Sequence, residues 1–340
     1  MKFLIKILSA HLFIIVSFFG LRVLAWGKQG HAIVNQTAAL LLSEETKYDF
    51  LREHAFDLAY FSNVPDIVWK QQKTYDLEAP QHFMDMEIFE RELKTNANSS
   101  SKQTEKMNEA FLLQREEFDA KYPNITLKAG RSWWRIREIY DLFQKQAQFL
   151  ADSKMTQKER HDLQAHWLVL AGVLGHYIGD LAQPLHCTEN FDGQLTGQKG
   201  LHSFFEDKLL NLMIPKLSEE TLKEAKKIWP IYSREAKKLS TLALISELTH
   251  NSRAQLKKLL ALDKKLKRRN IKSIATQYRP MIIRQLAEGA VSLAELMKRN
   301  LDWKFNSHSF YSFYSMPEYI NPGTEQSTHI EEVIEDKSKE

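Results

Sequence analysis

The segment from Gly175 to His186 contains histidine and aspartate side chains, which are common metal ligands. They lie at the end of a stripe of apolar residues with helical spacing. His176 and Asp180 are four residues apart, so on a helix they project from one face and can share a metal ion. Pro184 stops that helix and turns the chain, which returns His186 toward the same place. A hydrogen-bonded surface pair is the plain alternative, but Asp180 stands among apolar neighbours, where an unpaired carboxylate is expensive.

A second ligand pair, His202 and Glu206, repeats the four-residue spacing further along the chain. Alone, this pair is as typical of a solvated helix face as of a metal site. The combination of neutral imidazoles and carboxylates favours zinc over magnesium or calcium, which prefer shells made of oxygen.

Helical periodicity covers nearly all of the chain after Trp26, and strand patterns are almost absent. We therefore predict an all-α fold, a single multi-helix domain over 26–320. A capping box at Thr156 and Glu159 predicts the start of a long helix that ends at Leu181. Further helices are predicted over 201–212, 219–228, 233–246, 254–267 and 271–297, an irregular segment over 58–83 and a surface loop over 95–104.

The two ends of the chain have compositions unlike the domain between them. Lys2 and Lys6 precede an apolar stretch typical of a secretory signal peptide, and we predict cleavage after Ala25 and a secreted or periplasmic product. A membrane anchor is the alternative, but the stretch is short for one. Cleavage lowers the formal charge from +4 to +1, because three basic residues are removed. The acidic segment 321–340 is predicted to be disordered.

The single cysteine and a run of basic residues also constrain the interpretation. Cys187 is the only cysteine, so no internal disulfide is possible, and stability rests on the core and on any bound metal. The basic run from Lys257 to Arg269 suits phosphates or an anionic membrane, but a solvated helix face is favoured.

Cleavage after Ala25 would also make Trp26 a metal ligand. A free backbone amine and its carbonyl chelate a metal in a five-membered ring, and His31 lies just over one helical turn away. The amine binds only when neutral, so its ordinary pKa of about 7.7–8.0 makes loading pH-dependent. The alternative is that Trp26 is simply an exposed or packed aromatic residue.

Five motifs follow one another in a specific order: Trp26-Gly27-Lys28-Gln29-Gly30-His31, then Asp66, then His82-Phe83-Met84-Asp85, then His176-Tyr177-Ile178-Gly179-Asp180 with Gln183-Pro184-Leu185-His186, then His202-Ser203-Phe204-Phe205-Glu206. This order resembles the trinuclear-zinc superfamily, which contains single-strand-specific nucleases with 3′-nucleotidase activity and bacterial zinc-dependent phospholipases C. The resemblance covers roughly 26–212.

The resemblance implies a fold of the phospholipase C and zinc nuclease type with three zinc ions. The first would be held by Asp66, His82, His176 and Asp180. The second would be held by the Trp26 amine and carbonyl, His31 and a bridging Asp180. The third would be held by His186, His202 and Glu206. Asp66 would also act as general base for a water that attacks phosphorus in line, while the third zinc neutralises charge on the leaving oxygen.

The chain departs from the family pattern at several positions. The nucleases carry an arginine three residues after the carboxylate that matches Asp66; here that residue is Trp69, and Lys70 is the candidate replacement. Glu206 and the short loop before His202 resemble the phospholipases. Asp85 matches a carboxylate that reads the base in the nucleases, but a similar aspartate occurs in the phospholipases.

Together these patterns predict a secreted zinc-dependent phosphodiesterase, a hydrolase acting on ester bonds. The favoured substrate is single-stranded nucleic acid or a nucleotide, which makes the protein a single-strand-preferring endonuclease with 3′-nucleotidase activity. The spacing from Trp26 to His31 supports this choice. The first alternative is a phospholipase C acting on phosphatidylcholine-like lipids, and the second is an inactive metal-binding secreted protein. No obligate protein partner is evident.

Overall fold

Helices follow one another from Gly27 to Lys298. The structure is a computed structural model that describes residues 26–71, 75–93, 107, 109–151, 154–214, 216–268 and 270–301. The α-helices, α1 to α15 in chain order, are Gly27–Leu42, Phe50–Glu53, Ala55–Phe61, Val64–Ile67, Tyr75–Glu78, Met86–Glu92, Arg115–Lys121, Ser132–Ala151, Gln157–Leu181, Leu201–Ser203, Leu209–Met213, Lys216–Ala236, Thr241–Ala254, Leu256–Leu266 and Ile271–Lys298.

Shorter 3₁₀ turns and one π-helical turn connect these helices. The 3₁₀ turns are Thr46–Tyr48, Trp69–Gln71, Ala79–His82, Leu127–Ala129, Pro184–Cys187 and Gln194–Thr196, and the π turn is Phe204–Lys208. Within the described ranges there is no strand, and the sole β-bridge joins Met84 to Gly130. The predicted all-α fold is confirmed.

The long helix α9 lies at the centre of the domain. Its start is fixed by the predicted capping box: Thr156 N donates to Glu159 at 2.8 Å, and Glu159 N donates back to Thr156 Oγ1 at 3.3 Å. The helix packs against α1, α3, α8 and α15, and its C-terminal half is almost entirely buried. Such an environment excludes water, so polar side chains at the end of α9 need partners within the protein.

Two apolar clusters form the core, and the ligand-bearing segments lie where they meet. The larger cluster contains Tyr177 and Leu181 of α9. The smaller one contains Leu185 and Phe205, which flank the predicted ligands His186 and Glu206 in sequence, and it underlies α11, α14 and α15. Core packing on both sides therefore fixes the backbone that carries the candidate ligands.

Some predicted boundaries are wrong. The break predicted between the helices over 219–228 and 233–246 lies later in the structure, because α12 continues through Pro230 to Ala236 and α13 begins at Thr241. The segment 58–83 is not irregular but consists largely of short helical turns in its described part. The helix predicted over 201–212 is interrupted by the π turn, which carries Glu206. The signal peptide over 1–25, the surface loop over 95–104 and the acidic tail over 321–340 lie outside the described residues.

Among the described residues, no helix combines the length and the apolar composition that a membrane crossing requires.

Candidate metal centre

The packing of α1 against α9 brings His31 to the predicted ligands. Gly179 of α9 makes this approach possible, because a Cβ at this position would lie 2.9 Å from His31 Nδ1. The His31 ring stacks on His176, with the ring centroids 3.8 Å apart, and its Nε2 lies 3.5 Å from Asp180 Oδ1. Residues that are far apart in sequence thus meet at the C-terminal end of α9.

Backbone hydrogen bonds hold the segment that carries His82. Arg131 N donates to Pro80 O at 2.7 Å, and Met84 N donates to His186 O at 2.9 Å. Gly130, with φ +91°, lies so close to this segment that a Cβ would be 2.0 Å from Phe83 O. His82 is therefore fixed between the start of α8 and the 3₁₀ turn that carries His186.

Asp66, His82, His176 and Asp180 form the first cluster. His82 Nδ1 lies 3.0 Å from Asp180 Oδ2 and 2.9 Å from His176 Nε2, which in turn lies 3.3 Å from Asp180 Oδ2. Asp66 Oδ1 lies 3.9 Å from His82 Nδ1 and 3.8 Å from His176 Nε2. Ligand atoms around a tetrahedral zinc ion would be about 3.3 Å apart. The measured separations scatter around that value.

His186, His202 and Glu206 form a second cluster of the same kind. Their facing atoms are separated by 3.1 Å between the two Nε2 atoms, 2.8 Å from His202 Nε2 to Glu206 Oε2, and 3.8 Å from His186 Nε2 to Glu206 Oε2. All three side chains are buried. The π turn places Glu206 opposite His202, and such turns occur often at functional sites.

Hydrogen bonds on the far side of the rings point the imidazole lone pairs inward. The outer nitrogen of each ring faces a backbone carbonyl: His176 Nδ1 donates to Ser62 O at 2.7 Å, His186 Nδ1 to His82 O at 2.7 Å, and His202 Nδ1 to Phe191 O at 3.0 Å. A carbonyl only accepts, so each ring carries its proton on the outer nitrogen and presents Nε2 inward. This arrangement is characteristic of histidines that bind metal ions.

A buried carboxylate orients His82 in the same way. His82 Nε2 donates to Glu78 Oε1 at 3.1 Å, and the Tyr177 hydroxyl donates to the same oxygen. Arg135 donates to Glu78 Oε2 at 2.8 Å, and its guanidinium lies over the Trp69 ring. Sequence reasoning missed Glu78, Tyr177 and Arg135. The four-residue spacing from Glu78 to His82 was the available signal.

The two carboxylate oxygens of Asp180 face different histidines. Oδ2 faces His82 and His176. Oδ1 lies 3.5 Å from His31 Nε2 and 3.4 Å from His186 Nδ1, and it has no hydrogen-bond partner among the described residues. Both ring nitrogens of His31 also lack a hydrogen bond there. Orphaned buried polar atoms of this kind fit a bridging carboxylate with a second ion beside His31.

Trp26 lies at the start of α1 and belongs to the smaller core cluster. Its side chain is fully buried and contacts the Phe205 ring. Its carbonyl accepts a hydrogen bond from Gly30 N at 3.1 Å as the first acceptor of α1. Trp26 is therefore a packed aromatic residue, as the alternative interpretation of this residue expected. Chelation by its amine stays a prediction.

Lys70 points into the first cluster and Trp69 points away from it. Lys70 Nζ donates to Asp66 Oδ1 at 2.6 Å, and the side chain is buried. Burial alone would lower the Lys70 pKa, but the Asp66 carboxylate raises it overall, so the ammonium stays charged. A buried positive charge thus lies beside the first cluster.

Asp85 is buried, but it is not one of the residues whose contacts form the two clusters. Its Oδ1 has no hydrogen-bond partner among the described residues. Burial, reinforced by repulsion from Glu87, raises the Asp85 pKa to about 7. A role in reading a base stays a prediction.

Burial decides the charge state of His31 and of two histidines in the first cluster. It lowers the pKa of His31, His82 and His176 well below the ordinary value of 6.5, so these rings are neutral and able to bind a metal ion. Burial and repulsion from Asp66 raise the Asp180 pKa well above its ordinary value. A cation between these groups would offset the cost of ionising Asp180.

The donor groups assemble into three sets that can hold metal ions, of which the first two share His176: His31, Asp66 and His176; His82, His176 and Asp180; and His186, His202 and Glu206. No protein-family model matches the chain, and a search among curated proteins finds no significant similarity. The geometry of the site is therefore the basis for assigning a function.

Proposed function

We propose that this protein is a secreted, zinc-dependent phosphodiesterase of the trinuclear-zinc type, with single-stranded nucleic acid and 3′-nucleotides as substrates. The observation that carries the proposal is Asp180, whose two oxygens face separate sets of histidines. A structural ion pair needs no such division, whereas a bridged pair of ions does. Two close cations together with a third site suit in-line displacement at phosphorus.

The residues of the chain would perform distinct tasks in this reaction. When bound, zinc supplies Lewis-acid activation of a water nucleophile and neutralises charge on the phosphate. Asp66, next to the first set, would orient that water and accept its proton. Lys70 would supply a fixed positive charge to a phosphoryl oxygen, but without the two-pronged contact that arginine makes. The Glu78 network would keep His82 in the required tautomer.

A phospholipase C is the second candidate, and a surface feature favours it. Large apolar side chains are exposed in the segment around Asp66: Phe56, Tyr60, Val68, Tyr75 and Leu77. Exposed apolar side chains suit contact with a lipid interface. Glu206 as the last ligand also resembles the phospholipases.

A parallel assay separates the candidates. Protein beginning at Trp26 would be tested on single-stranded RNA and DNA, a 3′-nucleotide and phosphatidylcholine micelles, each with and without chelator. The proposal predicts chelator-sensitive cleavage of the nucleic acids and the nucleotide, abolished in His176→Ala. Turnover of the micelles alone would instead support the phospholipase. Zinc binding without turnover of any substrate would support an inactive metal-binding protein.

A further inference from the structure

Helix α14 is amphipathic, and only its apolar side is used inside the domain. Leu259 is fully buried, and the leucines of the same helix pack against the smaller core cluster. The opposite side exposes Lys257, Lys258, Lys264 and Lys265; the following turn adds exposed Lys267, and the first turn of α15 adds exposed Lys272. We call these six lysines the α14 face. The pairs 257/264 and 258/265 form two stripes, with about 10.5 Å between the members of a pair.

Acidic side chains in the described part of the structure do not pair with the α14 face. From 255 to 272 the sequence has eight lysines and arginines against one acid, Asp263. That carboxylate is buried and is bound by Arg268 at 2.7 Å. None of the six lysines forms an ion pair with a described residue, whereas Lys226 and Lys298 on other helices pair with Glu44 and Glu45. The concentration of charge is therefore local, in a protein with a formal charge of only +4.

The turn after α14 is strained, and it joins the α14 face to the candidate metal centre. Lys267, Arg268 and Asn270 have φ of 51°, 49° and 48°, in the left-handed region that residues with a Cβ rarely adopt. Arg268 holds the turn by donating to the carbonyl oxygens of Lys199, at 2.9 Å, and Gln198. Strained backbone of this kind persists where surrounding contacts impose it, and it is frequent at functional sites.

The loop held by Arg268 leads directly to a ligand. Exposed Lys199 lies three residues before His202 and continues the positive surface toward the cluster of His186, His202 and Glu206. Asp192 fixes the end of this loop, because its carboxylate accepts from Gly200 N at 2.8 Å and from His202 N at 3.2 Å. A polyanion on the α14 face would thus follow lysines toward the metal ligands.

We propose that the α14 face is an accessory binding surface for the phosphate backbone of single-stranded nucleic acid; this inference rests on the proposed function. Phosphates are the anions that repeated lysines attract without regard to base sequence. A membrane fits less well. Helices that lie on membranes insert an apolar side, but that side of α14 is buried, and no large apolar side chain between 255 and 272 is exposed in the described residues.

The test compares two variants that remove the same charge. The first is Lys257→Gln/Lys258→Gln/Lys264→Gln/Lys265→Gln, on the α14 face. The control is Lys223→Gln/Lys227→Gln/Lys237→Gln/Lys238→Gln, four exposed lysines on and after α12. Binding of the zinc-loaded proteins to a fluorescent 2′-O-methyl phosphorothioate oligonucleotide of about 20 nucleotides would be measured against salt.

We expect the first variant to bind about 10- to 100-fold more weakly at physiological salt, and its salt slope to fall by up to about 3. The control variant should bind like the wild type. Hydrolysis of a 3′-nucleotide should be the same in all three proteins, and absence of that hydrolysis in the wild type would count against the proposed function rather than against this surface. Equal losses in both variants, no loss in either, or binding of phosphatidylserine vesicles in place of the oligonucleotide would overturn the proposal.

Discussion

Glu78 is the residue on which the orientation of His82 depends. Its carboxylate accepts hydrogen bonds from His82, Tyr177 and Arg135, and all four side chains are buried. The two oxygens accept hydrogen bonds from different donors. The side-chain amide of a glutamine in the same place would therefore turn its NH₂ group, which is itself a donor, toward at least one of them. We therefore expect Glu78 to contribute to the metal affinity of the candidate site as well as to stability.

We expect Glu78→Gln to weaken zinc binding at the first cluster by about 10- to 100-fold. A competition titration with a chromophoric chelator would measure this change. Glu138→Gln is the matched control, because Glu138 also pairs with Arg135, at 3.5 Å, but has no contact with His82 in the described structure. Tyr177→Phe, which removes a single hydrogen bond, should have a smaller effect than Glu78→Gln. Unchanged zinc affinity in Glu78→Gln would show that Glu78 only stabilises the fold.

Lys70 is expected to act on turnover rather than on substrate affinity. Its ammonium is held 2.6 Å from Asp66, beside the place where a phosphate would react. Lys70→Ala should lower kcat by about 10- to 100-fold with little change in KM, as removal of charge stabilisation in the transition state requires. Lys70→Arg should retain more activity than Lys70→Ala. A change confined to KM would assign Lys70 to substrate binding instead.

Individual ligands could be predicted from the sequence because helical spacing brings them together locally. The four-residue repeat predicted that His176 would lie beside Asp180 and His202 beside Glu206. Arg135 and Tyr177 could not be predicted, because they reach Glu78 through the packing of α8 against α9, across long stretches of sequence. The sequence contains the donors, but tertiary contacts decide which of them meet.

At the scale of elements, the contact of α1 with α9 determines whether His31 reaches the other ligands. Gly179 permits this contact, since a Cβ there would press on His31 Nδ1. Gly179→Ala should therefore displace His31, destabilise the protein by about 1–3 kcal/mol and reduce the zinc content. Thermal unfolding and elemental analysis of the purified variant would check both effects.

Gly172→Ala is the control for that experiment. It lies on the same helix, and its Cβ would lie 2.5 Å from Phe61 Cβ, away from the ligands. It should lower stability but leave the zinc content unchanged. Equal loss of zinc in both variants would mean that the site responds to general destabilisation and not to His31.

The element boundaries show where sequence patterns fail. The sequence pattern predicted a helix over 219–228, but the helix runs from Lys216 to Ala236 and contains Pro230, although proline removes a backbone hydrogen bond. The helix continues through it, since its length packs against α1 and α15. Likewise, the short turns between Ala55 and His82 have no sustained periodicity, yet they position Asp66. Tertiary packing overrides local preference in both cases.

At the scale of the whole molecule, stability should depend on pH through Asp85. Its pKa is raised from 3.8 to about 7. The folded state therefore holds a proton that the unfolded state has lost over this range, so the contribution of Asp85 to stability is present below pH 3.8 and is lost as the pH rises through 7. Asp85→Asn should raise Tm relative to the wild type by an amount that grows up to about pH 7 and is then constant. Exposed Asp76→Asn is the control, and a difference in Tm that does not vary with pH would contradict this account.

The central claim is that distant segments of one chain assemble donor groups for three metal ions. The most direct measurement is elemental analysis of natively purified protein that begins at Trp26, together with the variant Asp180→Asn. We predict three zinc ions per chain in the wild type, in line with the three donor sets, and loss of more than one ion in Asp180→Asn. Absence of any transition metal from the wild type, or an unchanged zinc content in the variant, would contradict the account.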